Sequence, residues 1–327
     1  MKKLILFDLG GTITCYTENR VTEFYSEKGT PISALIDKNF FSEELELCYE
    51  HVFNKISHEI TLDDLITLGN KIQDAVDDPN IFGVVVSVGT NVLEDIAYFI
   101  GIVVKTNKNI VFTGAFNPQN SLGFDGEKNL YNAIVINSTF QKASLGVLVT
   151  FNDTVITARS AIKISPGISN NYASHGQGIV GHVVGGVFYN TMIPLYKHTY
   201  DSEFSIRNIY NLPKILLVYA HLGMDKSYIE FAIQSGKIKG IVSAGFGKGY
   251  QNKEISILLS QAASNNIPVV RCSRSGHGYS STDKQYDNIY GFNVVSNLSP
   301  HKSSILLSVC LTQSSESHFI KKIFQEY

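Results

Sequence analysis

"ILFDLGGTIT" (residues 5–14) decides how the chain is read. Four apolar residues, Leu4 to Phe7, lead into Asp8, and the paired Gly10 and Gly11 are followed at once by Thr12. An apolar run that stops at a carboxylate and two glycines describes a buried strand ending in a tight turn. Two side chains at that turn can do chemistry, the Asp8 carboxylate and the Thr12 hydroxyl. Two residues beyond Asp8 stands Gly10, which can neither ligate a metal nor move a proton. The expected role of Asp8 is therefore to cap nearby backbone amides, and Thr12 is the candidate for chemistry.

Composition bounds the alternatives. The chain has 327 residues, 44% hydrophobic and 17% charged, enough for two packed domains. Its formal charge of −2 provides no basic field to recruit nucleic acid or an anionic membrane surface. Cys15, Cys48, Cys272 and Cys310 form no CxxC pair or Cys/His cluster, so reduced thiols are expected, with no metal and no cofactor. No apolar run approaches the roughly 20 residues of a membrane span. "MKKLILFDLGG" imitates a signal peptide, but Asp8 interrupts it and no small-residue cleavage site follows, so a cytoplasmic protein is expected.

Short β-rich runs ending in Gly, Asn or Thr recur along the chain: "FGVVVSVGT", "NIVFTGAF" and "LGVLVTFND". Helical patterns alternate with them. In "NVLEDIAYFIGIV", Leu93, Ile96, Ala97 and Ile100 share a face, and Glu94 and Asp95 stand in the first turn, where the helix dipole favours acids. "KNLYNAIVI" predicts another helix after Gly126, and "GIVGHVVGGVFYN" alternates like a hairpin. Alternating strands and helices imply an α/β fold with a parallel sheet covered on both faces. Ligands in such sheets sit beyond the carboxyl ends of the strands, where Thr12, Thr90 and the Asn152-Asp153 pair are expected to converge. The expected domains are 1–191, a linker at 192–213, and 214–327 with a second βα set and helices from Ser303 onward.

Asp8-Leu9-Gly10-Gly11-Thr12 resembles the haloacid dehalogenase phosphatase motif only with its second carboxylate missing. The whole chain, by contrast, resembles the bacterial L-asparaginase/glutaminase family, in particular its type II members. The resemblance begins with the Gly-Gly-Thr-Ile at 10–13. It continues in order through "SVGTNVLEDIAYFI" (87–100), "NIVFTGAFNPQNSLGFDGEKNLYNAIVI" (109–136), "GVLVTFNDTVITARSAIK" (146–163), "KHTYDSEF" (197–204), "GIVSAGFGKG" (240–249) and "VVRCSRS" (269–275). It implies the two-domain α/β asparaginase/glutaminase fold, with a larger flavodoxin-like N-terminal domain. It also implies hydrolysis of a side-chain carboxamide to a carboxylate and ammonia through a threonine acyl-enzyme, without metal. By resemblance, Thr12 is the nucleophile, and Tyr25 on the polar segment matching the family's mobile lid orients or activates it. Thr90 matches the second catalytic threonine, Lys163 the lysine that works with it, and Ser57 a residue that binds the substrate α-carboxylate. The amides around Gly89-Thr90 are candidates for holding the oxyanion. The family's habit of assembling as a homotetramer, with sites completed by a partner's second domain, implies a homo-oligomer here.

The departures cluster among the substrate-binding positions. The family's His-Gly-Thr-Asp-Thr is Val88-Gly89-Thr90-Asn91-Val92, so the aspartate that pairs with the substrate α-ammonium has become Asn91. His58 replaces a Gln, Lys248 replaces an Asn, and an ungapped count from "YGF" (290–292) puts Lys284 at a Glu position. A one-residue slip would put Asp283 there instead. An ammonium without an anionic partner in a partly buried site costs on the order of a few kcal/mol, so free L-asparagine is expected to be a poor substrate. Losing the carboxylate beside Lys163 also makes the neutral lysine easier to reach. The alternative is a catalytically impaired homologue that binds a ligand. "SGHGYSS" (275–281) adds His277 on a Gly/Ser loop, with no nearby acid or thiol to form a triad.

Overall fold

Lys2–Asp8 forms β1, and its burial deepens along its length until Leu4, Leu6 and Phe7 are sealed from solvent. The structure is a computed structural model describing residues 2–21, 29–53, 55–139, 144–167, 171–275 and 279–327. Tyr25 and His277 lie outside the described residues. The chain divides into two compact units, Met1–Asn208 and Ile209–Tyr327. Of the stretch expected to link domains, residues as far as Asn208 belong to the first unit, with Phe204 and Ile206 buried.

In the first unit β1 is followed by β2 (Leu45–His51), α1 (Leu62–Asp77), β3 (Ile81–Ser87), α2 (Leu93–Val103), β4 (Asn109–Thr113), α3 (Gly126–Thr139) and β5 (Val147–Phe151). Then come β6 (Thr154–Thr157), β7 (Ala161–Lys163), β8 (Tyr172–Ser174), β9 (Ile179–Val184) and β10 (Val187–Asn190). The main sheet runs β10-β9-β6-β5-β4-β3-β1-β2. Strands β2, β1, β3, β4 and β5 are parallel, in the flavodoxin-like order, while β6, β9 and β10 extend the sheet antiparallel. The expected parallel sheet is found in β1 to β5 and the expected hairpin in β9 and β10, so the sheet as a whole is mixed. The cause lies at Asn152 and Asp153, whose φ values of 49° and 62° make the two-residue turn that folds β6 straight back on β5. The Asp153 carboxylate is taken up by Asn132 Nδ2 at 2.8 Å and by Lys128 at 3.2 Å, so this pair serves the turn.

Strand order reverses between β1 and β3, because the chain leaves β1 for β2 on one side and returns through α1 to β3 on the other. At such a switch point the connecting helices lie on opposite faces and a crevice opens at the carboxyl ends. Helix α1 begins with a capping box between Thr61 and Asp64. Helix α2 differs from the expected amphipathic pattern, since every residue but Asp95 is buried, Glu94 included.

The second unit has a four-stranded parallel sheet ordered β11 (Ile215–Tyr219), β12 (Gly240–Gly245), β13 (Val269–Ser273), β14 (Val294–Val295). It carries α4 (Ser227–Gln234), α5 (Lys253–Ser264), α6 (Lys284–Tyr290), α7 (Pro300–Cys310) and α8 (Ser317–Glu326). Val218, Ile229, Ile241, Ile255, Leu259 and Phe292 form the core under α4 and α5. Arg271 in β13 is fully buried and grips Asp287 with a two-pronged contact, Nε to Oδ1 at 2.8 Å and Nη2 to Oδ2 at 2.9 Å.

Candidate active site

The turn after β1 is tied down by its own short-range chemistry. Asp8 Oδ1 accepts from the Gly10 amide at 2.9 Å, the capping role expected of it, and Gly10 and Gly11 take φ values of 77° and 104°. Thr12 then opens a single 3₁₀ turn, Thr12–Thr14, closed by the Thr14 amide and hydroxyl donating to the Gly11 carbonyl. Thr12 is 8% exposed, and its hydroxyl has no hydrogen-bond partner among the described residues.

The turn after β3 packs back to back against it. A Cβ on Gly11 would lie 2.6 Å from both the Cα and the nitrogen of Gly89, and one on Gly89 would lie 2.6 Å from Ser57 Cβ and Oγ. Only glycine at both positions lets the two strand ends and the Ser57–Glu59 turn close together, and this contact brings Thr12, Gly89, Thr90 and Ser57 to one switch-point crevice. The amides of Gly11, Thr12, Gly89 and Thr90 donate to no acceptor among the described residues. A buried amide ordinarily finds an acceptor, so a row of them left open at a crevice suits an incoming oxygen. Ser57 is buried, and His58 beside it is exposed.

Lys163, at the end of β7, reaches the same crevice. Its Nζ donates to Thr90 Oγ1 at 2.9 Å and to Asn91 Oδ1 at 3.1 Å. Both acceptors are uncharged. Burial holds the Lys163 ammonium below the ordinary lysine pKa, with the Glu94 carboxylate opposing. Glu94 also accepts from the Lys163 backbone amide at 3.3 Å. The Phe116 ring lies 5.8 Å from Nζ and adds an apolar wall.

Two supporting residues went unread in the sequence. Tyr172 stands directly across the β7–β8 ladder from Lys163, and its hydroxyl donates to the Thr90 carbonyl at 2.9 Å. Its ring stacks on Phe151 with centroids 4.7 Å apart, and burial, reinforced by Glu94 and Asp95, raises its pKa well above the ordinary value, so it remains a donor. Nothing in "NNYAS" signals this, because the pairing is made by the fold. Glu94 was legible in principle: in a helix apolar on every side, an acid has no solvent face to occupy.

The remaining expected residues belong to the second unit. Lys248 is exposed on the loop after β12, and its carbonyl accepts from Arg271 Nη1. Lys284 is exposed as the first residue of α6. Asp283 is the N-cap of that helix: Oδ1 accepts from the Gln285 and Tyr286 amides, and Oδ2 accepts from the Tyr250 hydroxyl. Among the described residues no cluster of three or more His, Cys, Asp and Glu could hold a metal ion, and no helix is long and apolar enough to cross a membrane.

Comparison with known proteins agrees in both units. Residues 3–194 match the asparaginase N-terminal domain, and residues 214–324 the glutaminase/asparaginase C-terminal domain. The chain is 34% identical over 279 residues to L-asparaginase 2 of Escherichia coli (strain K12), covering 85% of this chain and 79% of that protein. It is 31% identical over 280 residues to a glutaminase-asparaginase of Pseudomonas fluorescens biotype A, covering 85% and 77%. The crystal structure of a probable cytoplasmic L-asparaginase from Campylobacter jejuni, 26% identical, matches with a TM-score of 0.92 over 100% of both chains.

Proposed function

Because this chain belongs to the asparaginase/glutaminase family of amidohydrolases, we propose that it cleaves a side-chain carboxamide whose α-amine is absent, acylated or replaced by an anionic group. The Thr12 Oγ attacks the carboxamide carbon while its proton leaves to a nearby base. The tetrahedral oxyanion is held by the open amides at Gly11–Thr12 and Gly89–Thr90. Collapse breaks the C–N bond, the departing NH₂ takes up the one proton given up by Thr12 and leaves as ammonia, and an ester to Thr12 remains. Water then attacks that ester, releasing the carboxylate and restoring the hydroxyl. Thr90 and Lys163 carry the proton traffic: a neutral Nζ accepts from the Thr90 hydroxyl, 2.9 Å away, which in turn accepts from the attacking group.

One observation carries the reading: Lys163 Nζ touches two neutral oxygens, Thr90 Oγ1 and Asn91 Oδ1, in a half-buried crevice. That environment favours the uncharged base and offers a substrate ammonium no carboxylate at position 91. Ser57 is read as a partner for the substrate carboxylate. Tyr25 is assigned to Thr12, and Lys248 and Lys284 to a homo-oligomeric partner's site, on the family resemblance. A cytoplasmic location is supported by four cysteines that form no disulfide. The test compares ammonia release from L-asparagine, succinamate and N-acylasparagine. The reading expects either of the last two to exceed asparagine in kcat/KM, and asparagine winning clearly would refute it.

A further inference from the structure

Both ends of the segment 16–29, which contains Tyr25, are bound by side-chain amides of one loop, 117–122, following β4. Gln119 Nε2 donates to the Ile13 carbonyl at 2.8 Å and to the Thr30 carbonyl at 2.7 Å, while its Oε1 accepts from the Thr30 amide at 3.0 Å. Its backbone amide donates to the Cys15 carbonyl at 2.9 Å. Asn120 does the same for the next turn of chain: Oδ1 accepts from the Thr17 amide at 2.8 Å, and Nδ2 donates to the Thr17 carbonyl at 2.7 Å. Arg20 and Leu122 add a reciprocal pair, Arg20 Nε to the Asn120 carbonyl and the Leu122 amide to the Arg20 carbonyl, both at 3.0 Å.

Each carboxamide thus offers the donor and acceptor that a neighbouring β-strand would offer. Gln119 goes further by joining two stretches, the turn that begins at Thr12 and the returning chain at Thr30. The pattern requires its chemistry: two carbonyls need an NH₂ and one amide needs an oxygen, which only a carboxamide supplies in one plane. The loop is itself held to α3, since Asp125 accepts from the Phe116 and Asn117 amides at 3.0–3.2 Å and from Asn129 Nδ2 at 2.9 Å.

We propose that Gln119 is a positioning residue for the reaction, holding the Thr12–Cys15 turn and the chain at Thr30 in one fixed relation so that the Thr12 hydroxyl meets the substrate in register. The inference rests on the reading of Thr12 as nucleophile. Small displacements of a reacting group cost rate steeply, so a lost clamp shows mainly in the acylation rate.

The experiment uses the full chain with Gln119→Met, similar in length but unable to make the three side-chain bonds, and with Gln119→Glu. A reactive amide ester probe is followed by intact mass, giving the acylation rate at saturating probe separately from the probe concentration at half-saturation. Hydrogen–deuterium exchange is read over 12–30 and over α3, well below each variant's melting temperature. Expected for Q119M is a tenfold or greater fall in the saturating acylation rate, and faster exchange at 12–30 with α3 unchanged. Q119E regains rate relative to wild type as pH falls and its carboxyl protonates to become a donor again. A saturating rate within twofold of wild type, or unchanged exchange at 12–30, overturns the proposal. If Q119M does not fold, the Q119E profile decides alone, and absence of acid rescue overturns it. Failure of the Thr12 reading shows separately, as an adduct on another residue in the wild-type protein, whereas the exchange result reports on the clamp whichever residue is modified.

Discussion

Asn91→Asp restores a carboxylate 3.1 Å from the Lys163 ammonium, and its consequences can be worked from the structure. Two opposite unit charges about 3 Å apart attract by on the order of 1.3 kcal/mol with the screening of bulk water and by about 5 kcal/mol at an effective dielectric of 20. Asn91 is exposed and Lys163 half-buried, so solvent screening places the new pair near the lower figure. That corresponds to a rise of about one pKa unit for Lys163. The sign follows from the mechanism. Burial holds Lys163 below the ordinary lysine pKa, and with the neutral amine as the proposed base the acid limb of kcat reports its deprotonation. The introduced carboxylate favours the ammonium, so that limb moves up by about one pH unit, and the rate well below it falls about tenfold. With L-asparagine the same carboxylate also pairs with the substrate α-ammonium and lowers KM. With succinamate, which lacks the amine, the limb moves and KM does not improve. Steady-state ammonia release from both substrates across pH separates the two effects. An acid limb that stays put or moves down would falsify the assignment of Lys163 as base.

Further outcomes follow from the same contacts. Lys163→Met keeps the stem and removes the base, and kcat is expected to fall about 10²- to 10⁴-fold with little change in melting temperature. Gly89→Ala drives a methyl into Ser57, so KM for a carboxylate-bearing amide should rise, with overpacking costing about 1–3 kcal/mol in urea titrations; unchanged KM would argue against Ser57 as a carboxylate partner. Arg271→Met leaves Asp287 buried without its partner and is expected to lower stability by about 3–5 kcal/mol, read by denaturant midpoint, with a cost under about 1 kcal/mol counting against the ion pair. Burial holds the His198 imidazole below its ordinary pKa, with Asp201 opposing. Below about pH 6.5 the unfolded chain therefore binds a proton that the folded chain resists, and stability falls toward acid. His198→Asn should flatten that slope as the pH falls through and below the ordinary imidazole pKa of about 6.5.

Sequence revealed those features that local chemistry determines. The apolar run into Gly10 and Gly11 marks the end of β1, the Val-rich 84–88 stretch marks β3, and the Gly-rich hairpin at 179–190 reads directly from its alternation. The mixed character of the sheet was hidden in Asn152-Asp153, two residues that tolerate positive φ and so also serve as a hairpin turn, where a cleft position was expected. Strand β2 escaped notice because its partly exposed edge position permits Glu46, Glu50 and His51 among the apolar residues. Contacts across the site were beyond any local pattern: Lys163 meets Thr90 across 73 residues, and Gln119 meets Ile13 across 106. Resemblance supplied candidates for the first pair, but Tyr172 and Gln119 contact backbone carbonyls and amides, which leaves no motif behind.

The most direct measurement is intact-protein mass spectrometry after exposure to a reactive amide ester or lactam, followed by peptide mapping. A threonine nucleophile predicts one adduct, on the peptide containing Thr12, absent in Thr12→Ala and formed far more slowly in Lys163→Met. Undiminished ammonia release by Thr12→Ala, or an adduct that persists in that variant, contradicts the account.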